Sequence, residues 1–193
     1  MIAFLKGNFV NKTPAVVYVD VNGVGYEVNI SLNTYSKIQN LEGGTLFTHL
    51  LIREDAHTLF GFYDASEKDI FLQLISVSGI GASTARVMLS YMKPEELIQA
   101  IVQGNARLLE TIKGIGRKTA ERIVLELKDK LGKVATEVNI STPAGNSLQA
   151  DALNALIALG INRQAAELAV QKVLKQHASA SVEDVIKKSL QVL

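Results

Sequence analysis

The hydrophobic and polar positions along the chain change their period twice, and these changes divide the 193 residues into three parts. In the first part, short runs rich in β-branched and aromatic residues alternate with polar turns, a pattern typical of β-strands. Asn22-Gly23 predicts a tight hairpin, and residues 31–39 predict one short helix. Five short strands favour a small closed barrel, for which the OB-fold is the leading candidate. The five runs are Ile2–Lys6, Ala15–Val21, Val24–Ile30, Leu46–Ile52 and Thr58–Phe62.

Six aromatic residues lie in the apolar runs of this predicted barrel. OB-folds that bind single-stranded nucleic acid commonly stack bases on exposed aromatic rings. The simpler interpretation is that these rings fill the core, because each lies within an apolar strand. We therefore predict core positions for all six, with base stacking as the alternative. The residues are Phe4, Tyr18, Tyr26, Phe47, Phe60 and Phe62.

The second part, from Ser66 to about Gly132, has the period of amphipathic helices. Two stretches in it repeat at an offset of 35 residues, Ser78–Ala85 (SGIGASTA) and Lys113–Ala120 (KGIGRKTA). The flanking apolar positions repeat at the same offset. The pattern predicts two helix-hairpin-helix copies that pack as one pseudo-twofold unit. The predicted helices are 67–76, 84–92, 94–103, 106–112 and 118–131.

The repeated Gly-Ile-Gly turns have the chemistry of a phosphate site. Glycine adopts positive φ at little cost, so the chain turns sharply and a new helix begins directly afterwards. The free amides at a helix N-terminus lie at the positive end of the helix dipole and bind anions. Two such sites favour a nucleic-acid backbone over a single nucleotide. The candidate phosphate-binding residues are Gly79, Gly81, Ser83, Thr84, Gly114, Gly116, Arg117, Lys118 and Thr119.

The glycine turns have two other interpretations, a nucleotide-binding loop and a bend used only for packing. A P-loop requires glycine where Arg117 precedes Lys118, and a dinucleotide fingerprint requires a third glycine where Thr84 and Thr119 stand. The sequence therefore disfavours a nucleotide loop, and no cofactor is expected. A bend used only for helix packing is the other interpretation. The duplication, together with the two cations at the second turn, favours phosphate binding over it.

The third part begins with polar and small residues over 133–147, which include Pro143 and Gly145 and predict a flexible linker. Three short amphipathic helices follow. Without catalytic polar clusters, such a bundle is typical of an adaptor. Its predicted core is Leu153, Leu156, Ile157, Leu159, Leu168, Val173, Val185 and Leu190.

These parts define an α+β multidomain chain. Gly160, Asn162 and Ser181 are predicted to cap the helices of the tail. The predicted domains are an OB-fold barrel over 1–63, a tandem helix-hairpin-helix domain over 64–132, the linker over 133–147 and a UBA-like three-helix bundle over 148–193.

Composition refines this organisation. The net charge is only +1, but residues 63–133 carry eleven basic and nine acidic side chains, so we expect DNA affinity there. The absence of cysteine excludes disulfides and zinc thiolate sites, and the three histidines lack ligand spacing, so no metal site is expected. No run is long and apolar enough for a signal peptide or a membrane span. We therefore expect a cytoplasmic protein.

An acidic turn, Arg53-Glu54-Asp55-Ala56, joins the last two predicted strands. Such turns are commonly solvated and have no further function. On a chain that binds DNA, however, carboxylates repel phosphates. Glu54 and Asp55 are therefore candidate functional residues, with an ordinary solvated turn as the alternative.

The order of these features resembles the RuvA family, the Holliday-junction-binding subunits of the bacterial branch-migration complex. The resemblance extends from Met1 to Leu193. Its most specific matches are Ile52–Ala56 (IREDA) and Gly114–Arg122 (GIGRKTAER). The family often has lysine in the first hairpin where this chain has Ala82-Ser83, so backbone amides and Ser83 would bind the phosphate there.

The resemblance implies a function without catalysis. Family members form a fourfold tetramer, alone or paired as an octamer, that holds an open four-way junction during recombination, DNA repair and the SOS response. Glu54 and Asp55 would form an acidic pin at the junction centre. The tail would recruit the hexameric motor ATPase RuvB, and the resolvase RuvC can share the junction. The candidate motor contacts are Leu156, Ile157 and Leu159.

Two other classes of protein stay open from the residues alone. Helix-hairpin-helix motifs also occur in base-excision glycosylases, which need a catalytic carboxylate or lysine beside a pocket. A scaffold that binds plain duplex would use the same phosphate sites. An assay for base release tests the first class, and a comparison of a four-way junction with a linear duplex tests the second.

Overall fold

The computed structural model describes residues 1–139, 145–176 and 180–192. The chain forms two compact units, Met1–Thr136 and Glu137–Leu193. The first contains a barrel and the helical hairpins, and the second contains three helices.

The first unit begins with a closed five-stranded barrel in the order β1-β2-β3-β5-β4. All neighbouring strands are antiparallel except β3 and β5. Asn22 and Gly23, between β2 and β3, both have positive φ, as the predicted tight hairpin requires. The predicted OB-fold barrel and its short helix are confirmed. The elements are β1 (Phe4–Lys12), β2 (Val16–Val21), β3 (Val24–Ile30), α1 (Leu32–Ile38), β4 (Gly43–Ile52) and β5 (His57–Phe62).

The aromatic residues of the barrel divide between its core and its surface. Phe60 and Phe62 are buried, as predicted, but Phe4, Tyr18 and Phe47 are 58%, 41% and 36% exposed. The prediction that all six fill the core is therefore wrong for these three. The physical reason lies outside the barrel: Phe71 of the following helix packs on Phe60 and Phe62 with ring centroids 5.2 and 4.8 Å apart. The outer face of β5 is covered there, whereas the outer face of β1 is not.

The helical part of the first unit contains the predicted pair of hairpins. Its core includes the repeated apolar positions Leu74 and Leu109, Val77 and Ile112, and Met88 and Ile123, all buried. Equivalent residues of the two copies thus meet in one core, and the predicted paired unit is confirmed. The helices are α2 (Ala65–Ile75), α3 (Ala82–Tyr91), α4 (Pro94–Val102), α5 (Ala106–Glu110) and α6 (Arg117–Asn139).

Helix α6 is longer than the sequence predicted. It continues through residues 133–139, where the composition favoured a linker, and α7 begins at Gly145. No glycine or proline interrupts 133–139, and Lys, Ala and Glu propagate a helix easily once it has begun. The remaining predicted linker residues, 140–144 with Pro143, lie outside the described residues.

The second unit contains α7 (Gly145–Ala158), α8 (Arg163–Gln176) and α9 (Val182–Val192). The predicted caps are present: Gly160 has φ +89°, the Gln164 amide donates to Asn162 Oδ1 (2.9 Å), and the Asp184 amide donates to Ser181 Oγ (3.2 Å). The fully or nearly fully buried core residues are Ala152, Leu156, Ala166, Val170, Val173 and Val185.

Part of the predicted core of this unit lies at its surface. Ile157, Leu159, Leu168 and Leu190 are 37%, 62%, 69% and 44% exposed. Ala152 and Ala166 occupy core positions instead. Their small side chains let the helices approach closely, which leaves no interior volume for four more large residues.

Candidate nucleic-acid interface

The two Gly-Ile-Gly turns have nearly the same backbone. Gly79 and Gly114 have φ of +91° and +93°, a conformation that glycine adopts readily. The following isoleucine amide donates to a carbonyl three residues back in each copy, Ile80 to Val77 (3.1 Å) and Ile115 to Ile112 (3.0 Å). The side chains of both isoleucines are 95% buried, since each is only 5% exposed. Each turn is therefore fixed from inside.

Each turn leads directly into the first turn of a helix. The Gly81 carbonyl accepts from the Ala85 amide, and the Gly116 carbonyl accepts from the Ala120 amide, each at 2.9 Å. No side chain caps the start of α3. A Cβ placed on Gly81 or Gly116 would have no atom within 4 Å, so the backbone here faces open space. Both helix N-termini can therefore accept an anion at their exposed amides.

The polar candidates around these turns differ in their exposure and in whether another side chain already binds them. Ser83 and Lys118 are exposed and Thr84 and Thr119 half-buried, and the structure gives Lys118 no partner among the residues it describes. Arg117 is exposed too, but its Nε donates to Glu121 (2.9 Å). This hydrogen bond raises the pKa of the Arg117 guanidinium. A phosphate at the second turn would therefore meet Lys118 directly, but would compete with Glu121 for Arg117.

Arg122 is a candidate that the sequence analysis missed. It lies on α6, in the second copy, but its Nη1 donates to the Ser78 carbonyl of the first turn (3.0 Å). The same nitrogen lies 3.7 Å from an ideal Cβ on Gly79. Because the first turn lacks a lysine of its own, Arg122 supplies a cation that contacts it directly. The repeat gives no signal for this contact, since the equivalent position in the first copy is Val87.

The acidic turn lies between β4 and β5, and the Arg53 amide donates to the Ala56 carbonyl (2.9 Å) across it. Glu54 and Asp55 are exposed at its tip, and no partner for either carboxylate is present among the described residues. Two unpaired negative charges thus protrude from the barrel at one end of β5.

The candidate motor contacts are not all accessible. Leu156 is fully buried in the core of the second unit, so its prediction as a docking residue is corrected: a partner cannot reach it. Ile157 and Leu159 stay exposed, and so does Leu168 on α8. Helix periodicity places Leu156 and Leu159 close together but does not decide which of them faces inward.

Within the described ranges, no three histidine, cysteine or acidic side chains are grouped to hold a metal ion. The helices of those ranges are all too short or too polar to cross a bilayer.

An OB-fold barrel joined to paired helix-hairpin-helix turns with exposed amides defines the class of proteins that bind nucleic-acid backbone. Family models match along the chain: the RuvA N terminal domain at residues 1–61, a SAM-like helix-hairpin-helix tandem at 71–129, and the RuvA C-terminal domain at 147–193.

Full-length relatives agree with these matches. The proteins of Christiangramia forsetii and Flavobacterium psychrophilum are 45% and 47% identical to the chain, each over 193 residues and the whole of both sequences. A relative from Bacteroides fragilis is 46% identical over 201 residues, again across both whole sequences. Each bears the name Holliday junction branch migration complex subunit RuvA. The chain belongs to the RuvA family.

Proposed function

We propose that the chain is the non-catalytic subunit of a branch-migration complex, which binds four-way DNA junctions by their shape and independently of base sequence. The observation that carries the proposal is the pair of equivalent glycine turns, held together by the Arg122–Ser78 hydrogen bond. Amides that bind phosphates cannot distinguish bases. A protein through which DNA slides requires this property.

Charge near the two turns strengthens this binding. Lys118 is free to pair with a phosphate, and Arg122 is held beside the first turn. Each such contact releases counterions, so affinity falls as salt rises. The amides position the strand, and these two cations supply long-range attraction.

A four-way junction has four equivalent arms, and we propose that a homotetramer binds it, as one tetramer or as two facing each other. The buried core of a contact between identical subunits is commonly apolar. Phe4 and Phe47 are exposed and directly paired across β1 and β4, which supports a subunit contact on this side of the barrel. The complex would act in the bacterial cytoplasm, at the nucleoid, in recombination, repair and the SOS response, and RuvC could share the junction.

In this arrangement the acidic turns of four subunits would meet at the centre of the junction. Their carboxylates would repel the phosphates of the exchanging strands and keep these strands apart. Strand separation at the centre would let each arm be drawn out by a RuvB motor recruited through the C-terminal unit.

Neutralising the acidic turn tests the proposed function. We expect the double variant Glu54→Gln/Asp55→Asn to bind both DNA forms more tightly, because the charges that repel phosphates are removed. Its preference for a junction over a duplex should fall about tenfold, because repulsion no longer penalises the closely packed phosphates of the duplex. Gel-shift titrations of the wild type and the variant on a four-way junction and on a linear duplex of equal length measure this preference.

A matched control is Glu42→Gln, which removes one carboxylate from the barrel outside the acidic turn. It should leave the preference unchanged. A wild type that binds both DNA forms equally would contradict the proposed function. A wild type that prefers the junction, with no change in the double variant, would show that Glu54 and Asp55 form an ordinary solvated turn.

A further inference from the structure

The connection between the barrel and the first helical hairpin is held by α1. Only Tyr63 and Asp64 separate β5 from α2, and we call these two residues the hinge. The Tyr63 amide donates to Thr34 Oγ1 (3.0 Å), and Asp64 forms an ion pair with Lys37. Both partners lie on α1, which belongs to the barrel. Both hinge residues are therefore bonded to the barrel.

Glu67, in the first turn of α2, is fully buried directly after the hinge. Its carboxylate accepts hydrogen bonds from Ser31 Oγ and from Thr34 Oγ1 (2.7 Å). Ser31 Oγ also accepts from the Thr34 amide (3.0 Å), while Thr34 Oγ1 accepts from the Tyr63 amide. Each hydroxyl thus accepts a hydrogen bond from a main-chain amide and donates one to the Glu67 carboxylate. This network links the first turn of α2 to α1 through two hydroxyl groups.

The network does not require a charge for stability. Burial raises the pKa of the Glu67 carboxyl, and the hydrogen bonds from Ser31 and Thr34 and the charge of Lys37 offset this only in part. Because the pKa is higher in the folded than in the unfolded protein, stability is lost as pH rises through the interval between the two values. Lys37 and Asp64 are the charged groups facing Glu67, and they pair with each other. Ionisation of the buried Glu67 carboxyl therefore lowers the stability of the fold. We explain its presence by the hydrogen-bond geometry that it specifies.

We propose that Glu67 is a positioning residue that fixes the angle between the acidic turn and the first phosphate site. The acidic turn precedes β5, the hinge follows β5, and α2 leads from the hinge to the turn at Gly79. A rotation at the hinge would move one of these sites relative to the other. The proposal rests on the proposed function, because it assigns both sites to one junction.

The test compares Glu67→Gln with Asp69→Asn, which removes the same charge from an exposed position of the same helix. At neutral pH, Glu67→Gln should lower the junction preference about fivefold with little change in duplex affinity, because loss of one or two hydrogen bonds loosens the hinge. Asp69→Asn should leave the preference unchanged. On acidification, the wild type should approach the Glu67→Gln value, since protonation of Glu67 mimics the amide, and burial moves this change to a higher pH than for an exposed glutamate.

A second pair of variants covers the case in which Glu67→Gln does not fold. Thr34→Val removes the hydroxyl at similar volume, whereas Thr34→Ser keeps it, so only the valine variant should lose junction preference. Equal losses on junction and duplex, or an unchanged preference in both Glu67→Gln and Thr34→Val, would overturn the positioning role. A wild type without junction preference would instead contradict the proposed function and leave the hinge contacts as structural.

Discussion

Gly114→Val is expected to weaken junction binding by about a hundredfold while the protein stays folded. Gly114 has φ +93°, where a β-branched residue is strongly disfavoured. Nothing lies within 4 Å of an ideal Cβ at this position, so the effect comes from the backbone and not from a clash. The chain would relieve the strain by rotating the turn and displacing the amides that begin α6. In the proposed tetramer, this loss would be repeated four times at each junction.

The matched control is Gly160→Val. Gly160 has φ +89° and equally open surroundings, but it lies in the second unit, far along the chain from either turn. Both variants should lose a similar free energy of unfolding, about 1–2 kcal/mol, and only Gly114→Val should lose DNA affinity. Thermal unfolding and junction gel shifts on both variants separate the two effects. Wild-type affinity in folded Gly114→Val would mean that the turns serve packing alone.

The sequence predicts the hairpin pair well because glycine chemistry and a fixed repeat are local signals. Gly79 and Gly114 need positive φ wherever the chain turns this sharply, and the offset of 35 residues aligns both turns and the flanking core positions. The Asn22-Gly23 hairpin is predictable for the same reason. In these places local conformational preference and the final fold agree.

Other features depend on which face of an element is covered, and no local pattern contains that information. Phe4, Phe47 and Phe62 follow one another across paired strands, yet only Phe62 lies under α2 and is buried. Strand alternation places them on the same side but does not reveal where the covering helix ends. Leu156 and Leu159 differ in the same way.

Contacts between distant segments were beyond prediction for a related reason. Arg122 reaches Ser78 across 44 residues, and Glu67 meets Ser31 across 36. A charged residue on a predicted amphipathic helix is ordinarily assigned to the solvent face. Only the packing of the two hairpins, and of α2 on α1, shows that these two side chains link separate elements.

Truncation after Thr136 is expected to leave junction affinity within about twofold of wild type and to abolish motor-driven branch migration. Thr136 is the last residue of the first unit, which contains the acidic turn and both proposed phosphate sites. The second unit exposes Ile157, Leu159 and Leu168, and we propose these apolar side chains as contacts for the motor. Without it, we expect the RuvB hexamer to lose its attachment to the junction complex.

Point variants separate loss of docking from loss of folding. Leu159→Ser and Leu168→Ser alter exposed side chains, so they should leave the unit folded and weaken RuvB binding about tenfold each. Leu156→Ala is the contrasting variant, because removal of a buried leucine side chain destabilises the unit by about 2–5 kcal/mol. Pull-down of RuvB, ATP-dependent migration of a labelled junction and thermal unfolding are measured on all three.

Branch migration at the wild-type rate by the truncated chain would contradict the assignment of the second unit to RuvB binding. Loss of junction binding on truncation would instead place DNA contacts in the second unit.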